Sequence, residues 1–219
     1  MQRRDEQIET SGTHLPSLIN DLHDIARIES GQLKIQESIF DLTAELERVA
    51  GIYSVRSEDK GLVFSSDIRL PKPCWVRGDP ARTRQVLHNL LGNAVKFTHK
   101  GWVGLSAHRP DPAGPAVFEV RDTGVGISPQ EQQHIFEAFR QASSSPSRPF
   151  EGTGLGLTIA REIAHAMEGD ITCQSTLGVG SLFRFSAALP TAPVPSTAAA
   201  GAAPQKAVAA QEQEDKRSH

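Results

Sequence analysis

The stretch NLLGNAVKFTHKGWVGLSAHRPDPAGPAVFEVRDTGVGI, residues 89–127, reads as a helix, two strands and a glycine loop in succession. At roughly 100° per residue, Asn89, Asn93 and Lys96 fall on one narrow helix face. The opposite face carries Val86, Leu87, Leu90, Leu91, Ala94 and Val95, enough apolar surface to hold the helix against a sheet. Upstream, Asp79 is a good cap and Pro80 suits the first helical position, so the helix is expected over Asp79–His99. Downstream, strands are expected at Gly101–His108 and Ala116–Arg121, joined by the Pro/Gly-rich turn Pro110–Pro115. Asp122 is expected to begin the glycine loop.

Working outward, a short helix is expected around Gln130–Phe136, followed by the serine/proline stretch Ser143–Pro149, which has the composition of a mobile segment. A second glycine cluster opens a helix from Gly154 to Met167. Two closing strands, Asp170–Thr176 and Gly180–Leu189, flank residues 177–179. Toward the N-terminus, Leu15, Leu18, Ile19, Leu22, Ile25 and Ala26 recur at helical steps as a narrow seam, with Gly31 as a stop. A strand around Lys34–Ile39 leads to a helix capped by Asp41, with apolar positions Leu42, Leu46, Val49 and Ile52. Strands at Leu62–Ile68 and Cys74–Arg77 follow, separated by Pro71 and Pro73. The order of elements implies an α+β fold: a two-layer sandwich of a mixed β-sheet covered by helices, with an N-terminal helical stalk. Residues 1–33 are assigned to the stalk, 34–189 to the globular domain, and 190–219, rich in Ala and Pro, to a disordered tail or linker.

With 219 residues and a net charge of −3, the chain suits one domain plus accessories and lacks the basic footprint of a nucleic-acid binder. No apolar run reaches the roughly 20 residues of a membrane span. Cys74 and Cys173 have neither disulfide-framework nor metal-ligand spacing, and the expected compartment is the cytosol.

Three motifs carry possible chemistry. The two amides and the ammonium of Asn89, Asn93 and Lys96 could join phosphate oxygens and water around Mg²⁺; alone, they equally describe a solvated helix face. Asp122-Thr-Gly124-Val-Gly126-Ile127 could accept a hydrogen bond from an exocyclic amine, or form a simple hairpin turn. Gly152-Thr153-Gly154-Leu155-Gly156-Leu157 opens a helix, where free amides and the helix dipole favour phosphate; a glycine hinge is the alternative.

Taken together and in this order, the motifs resemble the ATP-binding domain of sensor histidine kinases. Its N box is similar to NLLGNAVKFT (Asn89–Thr98), G1 to DTGVGI (Asp122–Ile127), the F box to IFEAF (Ile135–Phe139) and G2 to GTGLGL (Gly152–Leu157). The closing GVGSLFRF (Gly178–Phe185) resembles the family's last strand, and the similarity runs from about Thr13 to Leu189. The resemblance implies a Bergerat-type fold and two-component phosphorelay signalling, with ATP and Mg²⁺ as cofactors. It implies Asn93 as the magnesium ligand, with Asn89 and Lys96 beside the phosphates. Asp122 would bind the adenine amine in a pocket shaped by Gly124, Gly126 and Ile127. Thr153, Gly154, Leu155 and Gly156 would lie by the phosphates, Ser181 near the base, and Arg148 on a lid spanning Arg140–Glu151. Phe136 and Phe139 would anchor one end of that lid, with simple core packing as the plainer reading, and both can hold.

Related ATPases of this fold carry Glu where this chain has Asn89, and an amide cannot act as a general base, so kinase is favoured over ATPase. No acceptor motif of the H-E-x-[RN]-T-P kind occurs. Instead GTHLPSLINDLHDIARIESGQLKI (Gly12–Ile35) resembles the second helix of the family's dimerisation hairpin, although Pro16 departs from the usual residue there. His23 and His14 are weak acceptor candidates. The expected partners are a phosphoacceptor-histidine helix, a response regulator or receiver domain, and a second copy through residues 15–30. The rival reading is a nucleotide-binding or dimerisation fragment with no phosphotransfer of its own.

Overall fold

The computed structural model describes residues 22–28, 30–140 and 154–195. After a helical segment α1 (22–28), the order is β1 (Ser38–Asp41), α2 (Leu42–Asp59), β2 (Val63–Arg69), β3 (Trp75–Gly78) and α3 (Pro80–Phe97). Then come β4 (Trp102–His108), β5 (Ala116–Asp122), α4 (Pro129–Gln132), α5 (Gly156–Ala166), β6 (Asp170–Thr176) and β7 (Gly180–Ala187). Five strands form a sheet in the order β2-β4-β5-β7-β6, with β2 and β4 parallel and the other neighbours antiparallel. β1 and β3 pair separately. This is the expected mixed-sheet α+β sandwich.

One face of the sheet, carrying Leu105, Phe118, Val120, Phe183, Phe185 and Ile171, meets Leu46, Leu90, Leu91, Ile159 and Ile163 of the helices in a single buried cluster. Each such side chain contributes about 1.5–3 kcal/mol relative to its exposed state. The helix ends are deliberately satisfied. Asp79 Oδ1 accepts from the Ala81 and Arg82 amides at 3.0 Å each, so α3 starts where its cap predicts. At the other end of α3, Lys60 Nζ donates to the carbonyls of Val95 and Lys96 at 2.6 and 2.8 Å, occupying acceptors the helix ladder leaves open.

Five local expectations shift; one is the short helix expected around Gln130–Phe136, which spans only Pro129–Gln132. The strand expected at Lys34–Ile39 is instead Ser38–Asp41, because the Gln36 amide donates to Asp79 Oδ2 at 2.9 Å rather than to a neighbouring strand. Ile52 is 40% exposed; the buried stripe of α2 runs through Val49, Ala50 and Tyr53, whose hydroxyl donates to the His88 carbonyl at 2.9 Å. Asp122 ends strand β5 rather than beginning the loop. Pairing also continues past Pro190: its carbonyl accepts from the Arg77 amide, and the Ala192 amide donates to Trp75, both at 2.9 Å.

Helix α1 meets the rest of the fold through one polar cluster. Asp24, buried, accepts from Arg82 Nη1 at 3.1 Å and from Gln85 Nε2 at 2.7 Å, while Ile25 and Ile28 pack against the core. Leu22 is 53% exposed, and the remaining seam positions Leu15, Leu18 and Ile19 lie outside the described residues. Asp24→Ala should release α1 at a cost of about 1–3 kcal/mol, leaving Arg82 without its carboxylate. Hydrogen exchange should then accelerate selectively in 22–28, and unchanged protection there would contradict the assignment.

Candidate functional site

Helix α3 presents Asn89, Asn93 and Lys96, each half-buried, along the face away from Leu87, Leu90, Leu91 and Ala94. Among the described residues, neither amide side chain has a hydrogen-bond partner. The Lys96 ammonium lies 5.1 Å from the Phe97 ring centroid. The N-terminus of α5 is brought against this face: a Cβ added at Gly156 would stand 3.1 Å from Asn89 Oδ1. Leu155, in the cap position, is buried and offers no side-chain acceptor to the first turn of α5. The amides of Gly156, Leu157 and Thr158 precede the helix's own ladder and keep the partial positive charge of a helix start.

At the far end of α3, Asp122 closes β5 as a buried carboxylate, its Oδ1 accepting from the Gly124 amide at 2.8 Å. Burial pushes its pKa above the ordinary carboxylate value, partly offset by backbone hydrogen bonds from Gly124 and Ser181. The loop that follows is clamped on both sides. A Cβ at Gly124 would lie 2.6 Å from the Phe97 carbonyl, and one at Gly126, whose φ is +66°, would lie 2.0 Å from the Thr176 carbonyl. Only glycine fits such approaches. Ser181 is paired with Asp122 across β5 and β7. Ile127 is held by its amide, which donates to Ser175 Oγ at 2.8 Å.

Gly154, at φ +70°, packs beside Arg140. Arg148 and Thr153, with most of the expected lid, lie outside the described residues. Of the two phenylalanines expected to anchor the lid, Phe136 is half-buried, its carbonyl accepts from Thr158 Oγ1 at 2.9 Å, and the Arg161 guanidinium stacks 4.7 Å from its ring centroid. Phe139 is 67% exposed with φ +62°, so it does not pack into the core. Ser175 was not among the sequence candidates. Its signal is the alternation of β6, which places this hydroxyl on the same face as Ile171 and Cys173, an apolar row. Cys173 is pushed up to about 12 by burial and by the charge of Asp122, and stays a thiol.

The arrangement offers an amide pair beside a helix N-terminus, and a buried carboxylate at the end of a glycine-clamped loop. Hard amide oxygens suit Mg²⁺, backbone amides suit phosphate, and a carboxylate suits an amine donor. Among the described residues no cluster of three His, Cys, Asp or Glu side chains could hold a metal, and no helix is long and apolar enough to cross a membrane.

The family model described as Histidine kinase-, DNA gyrase B-, and HSP90-like ATPase matches residues 78–191. Signal transduction histidine-protein kinase BarA of Escherichia coli (strain K12) is 39% identical over 181 residues, 81% of this chain and 20% of BarA. Sensor protein GacS of Pseudomonas syringae pv. syringae is 38% identical over 188 residues, 84% of this chain and 21% of GacS. The chain thus spans about a fifth of the length of the curated relatives it matches. Full-length ShkA, solved in complex with AMPPNP, superposes with a TM-score of 0.74 and 37% identity, over 85% of this chain and 38% of that one. The nucleotide-free catalytic domain of histidine kinase ThkA superposes with a TM-score of 0.57 and 25% identity, over 69% and 97%.

Proposed function

The chain belongs to the family of histidine kinase-, DNA gyrase B- and HSP90-like ATPases, and from that premise we propose that it works as the ATP-binding catalytic module of a two-component sensor histidine kinase. It transfers the γ-phosphoryl group of Mg·ATP to a histidine not recognisable in this chain, and a response regulator or receiver domain takes the phosphoryl group onward. The observation that carries this reading is the meeting of α5 with Asn89: a helix N-terminus, shaped for phosphate, ends against an amide rather than a carboxylate. An amide accepts and donates hydrogen bonds but takes no proton from water, so the site favours positioning a phosphoryl group over activating water to hydrolyse it.

In this reading Asp122 accepts a hydrogen bond from the amine of the base, and Gly124, Gly126 and Ile127 form the wall beside it. The amides at the start of α5, with Thr153, Gly154, Leu155 and Gly156, neutralise phosphate charge, assisted by Lys96 and by Arg148 from the lid. Asn93 would hold Mg²⁺, which when bound would supply charge neutralisation to the phosphates. Asn89 orients the adjoining phosphate, and Ser181 lies by the base. The acceptor imidazole attacks phosphorus in line with the departing ADP, forming an N–P bond as the O–P bond breaks.

The test is a titration of the full chain with Mg·ATP, followed by addition of a phosphoacceptor-histidine helix from a relative such as BarA. Saturable binding is expected, and Asn93→Ala should weaken Mg·ATP about tenfold while changing metal-free ATP little. Acid-labile phosphate should then appear on the helix. Binding without transfer to any acceptor would favour the rival reading of a nucleotide-binding fragment; absence of binding by folded protein would end the kinase reading.

A further inference from the structure

Three polar side chains stand in one row across three neighbouring strands. Asp122 of β5 is in register with Ser181 of β7, and Ser181 with Ser175 of β6. All three lie on the face that meets the helices, where the same alternation otherwise places Val120, Phe183 and Ile171. Polar groups in such a row are costly unless their hydrogen bonds are committed.

The commitments can be counted. Ser175 Oγ accepts from the Ile127 amide at 2.8 Å, and lies 2.9 Å from the Gly180 carbonyl and 3.0 Å from Ser181 Oγ. A hydroxyl has one proton and two lone pairs. The Gly180 carbonyl can only accept, so the Ser175 proton goes there. The Ile127 amide occupies one lone pair, and the other is left for Ser181, whose proton must point at Ser175. Ser181 Oγ therefore offers only lone pairs in other directions. Beside it the Asp122 carboxylate is likewise an acceptor, receiving the Gly124 amide on Oδ1 at 2.8 Å and a further backbone hydrogen bond from Ser181. Apart from these bonds, Ser181 Oγ and the Asp122 carboxylate, both buried, present only acceptors.

We infer that Ser175 sets the base selectivity of the nucleotide site: by holding the Ser181 proton, it makes the edge that meets the base accept hydrogen bonds and never donate them. Such an edge takes an exocyclic amino group, with its two hydrogens, and turns away an oxo group in the same position. Ser175 is a positioning residue that acts through Ser181. The inference rests on the reading of the Asp122 end as the site of the base.

The test compares binding of Mg·ATP with that of Mg·ITP, which differs from ATP only on that edge of the base, to the full chain. Wild type should prefer ATP. Ser175→Ala frees the Ser181 hydroxyl to rotate and donate, and should lower the ATP-over-ITP preference about tenfold. Ser175→Thr keeps the hydroxyl and should retain the preference. Ser181→Ala leaves the Ser175 bonds to Ile127 and Gly180 in place, yet should lose the same preference, and the double variant should be no worse than Ser181→Ala alone. A preference unchanged in Ser181→Ala, or losses that add in the double variant, would overturn the inference even if Ser175→Ala folds poorly. A wild-type chain that binds ATP well but ITP equally overturns it while sparing the base-site reading. A folded chain that binds neither nucleotide overturns both.

Discussion

Asp122→Asn is expected to weaken Mg·ATP binding about 100-fold or more while leaving the protein more stable at neutral pH. The substitution keeps an oxygen for the Gly124 amide, which donates at 2.8 Å, so the turn is preserved. It replaces an acceptor by an NH₂ group that opposes an amine on the ligand. The stability sign follows from burial, which raises the Asp122 pKa above its ordinary 3.8. A carboxylate raised in the folded state contributes its full stability below the unfolded pKa. That contribution is lost as pH rises through the folded value, where the native state must ionise a buried group. The amide carries no such penalty. Its thermal advantage should therefore be present at pH 7 and shrink as the pH falls below about 4. Calorimetric titration and melting curves at both pH values test the pair of effects. Tight binding by the variant, or a lower melting temperature at pH 7 with intact binding, would contradict the role assigned to this carboxylate.

The second large effect is expected at Asp79, which is far from the site but holds two segments at once. One oxygen caps α3 through the Ala81 and Arg82 amides, and the other accepts from the Gln36 amide at 2.9 Å. The residue is buried, so Asp79→Ala leaves these amides with little water to replace it. A cap is worth about 1 kcal/mol and a hydrogen bond to a charged acceptor about 1.5–3 kcal/mol. The combined loss should be about 2–4 kcal/mol, or roughly 5–12 °C in melting temperature for a chain of this size. Asp79→Asn, which keeps one acceptor oxygen, should lose about half as much. A loss below about 0.5 kcal/mol in chemical denaturation would show that these amides find other partners.

The architecture was legible because its signals are local. Asp41 and Asp79 announce helix starts with a side chain two or three residues from the amides it caps, and Pro80 reinforces the second. The spacing of Val86, Leu87, Leu90, Leu91, Ala94 and Val95 predicted the buried face of α3; the first five are buried and Val95 is half-buried. The Pro/Gly-rich turn predicted two joined strands, and the register Leu105↔Val120 and Ala107↔Phe118 pairs β4 with β5. The turn at 110–115 carries that reversal in sequence.

What escaped sequence reading depends on contacts between distant segments. The strand expected at Lys34–Ile39 moved because an amide found a carboxylate 43 residues away. Ile52 has the same helical spacing as its buried neighbours, but the rotation of α2 is fixed by Tyr53 reaching His88 on another helix. Phe139 matches its motif in letters, yet its backbone at φ +62° turns it out of the core. Ser175 is silent in the chain because a serine at an inward strand position acquires meaning only when Ile127, Gly180 and Ser181 surround it.

By itself, then, the sequence determined most of the helices and strands, which helix faces are apolar, and which boxes could meet a nucleotide. The first two follow from periodicity and from bonds spanning only a few residues, the third from the resemblance of the ordered boxes to the kinase family. The tertiary structure alone decided that Gly156 faces Asn89, that Gly126 is clamped against Thr176, and that Asp122, Ser181 and Ser175 share a row. Those contacts join segments that only packing and strand register bring together, and a one-residue slip in register would turn the whole row to the opposite face.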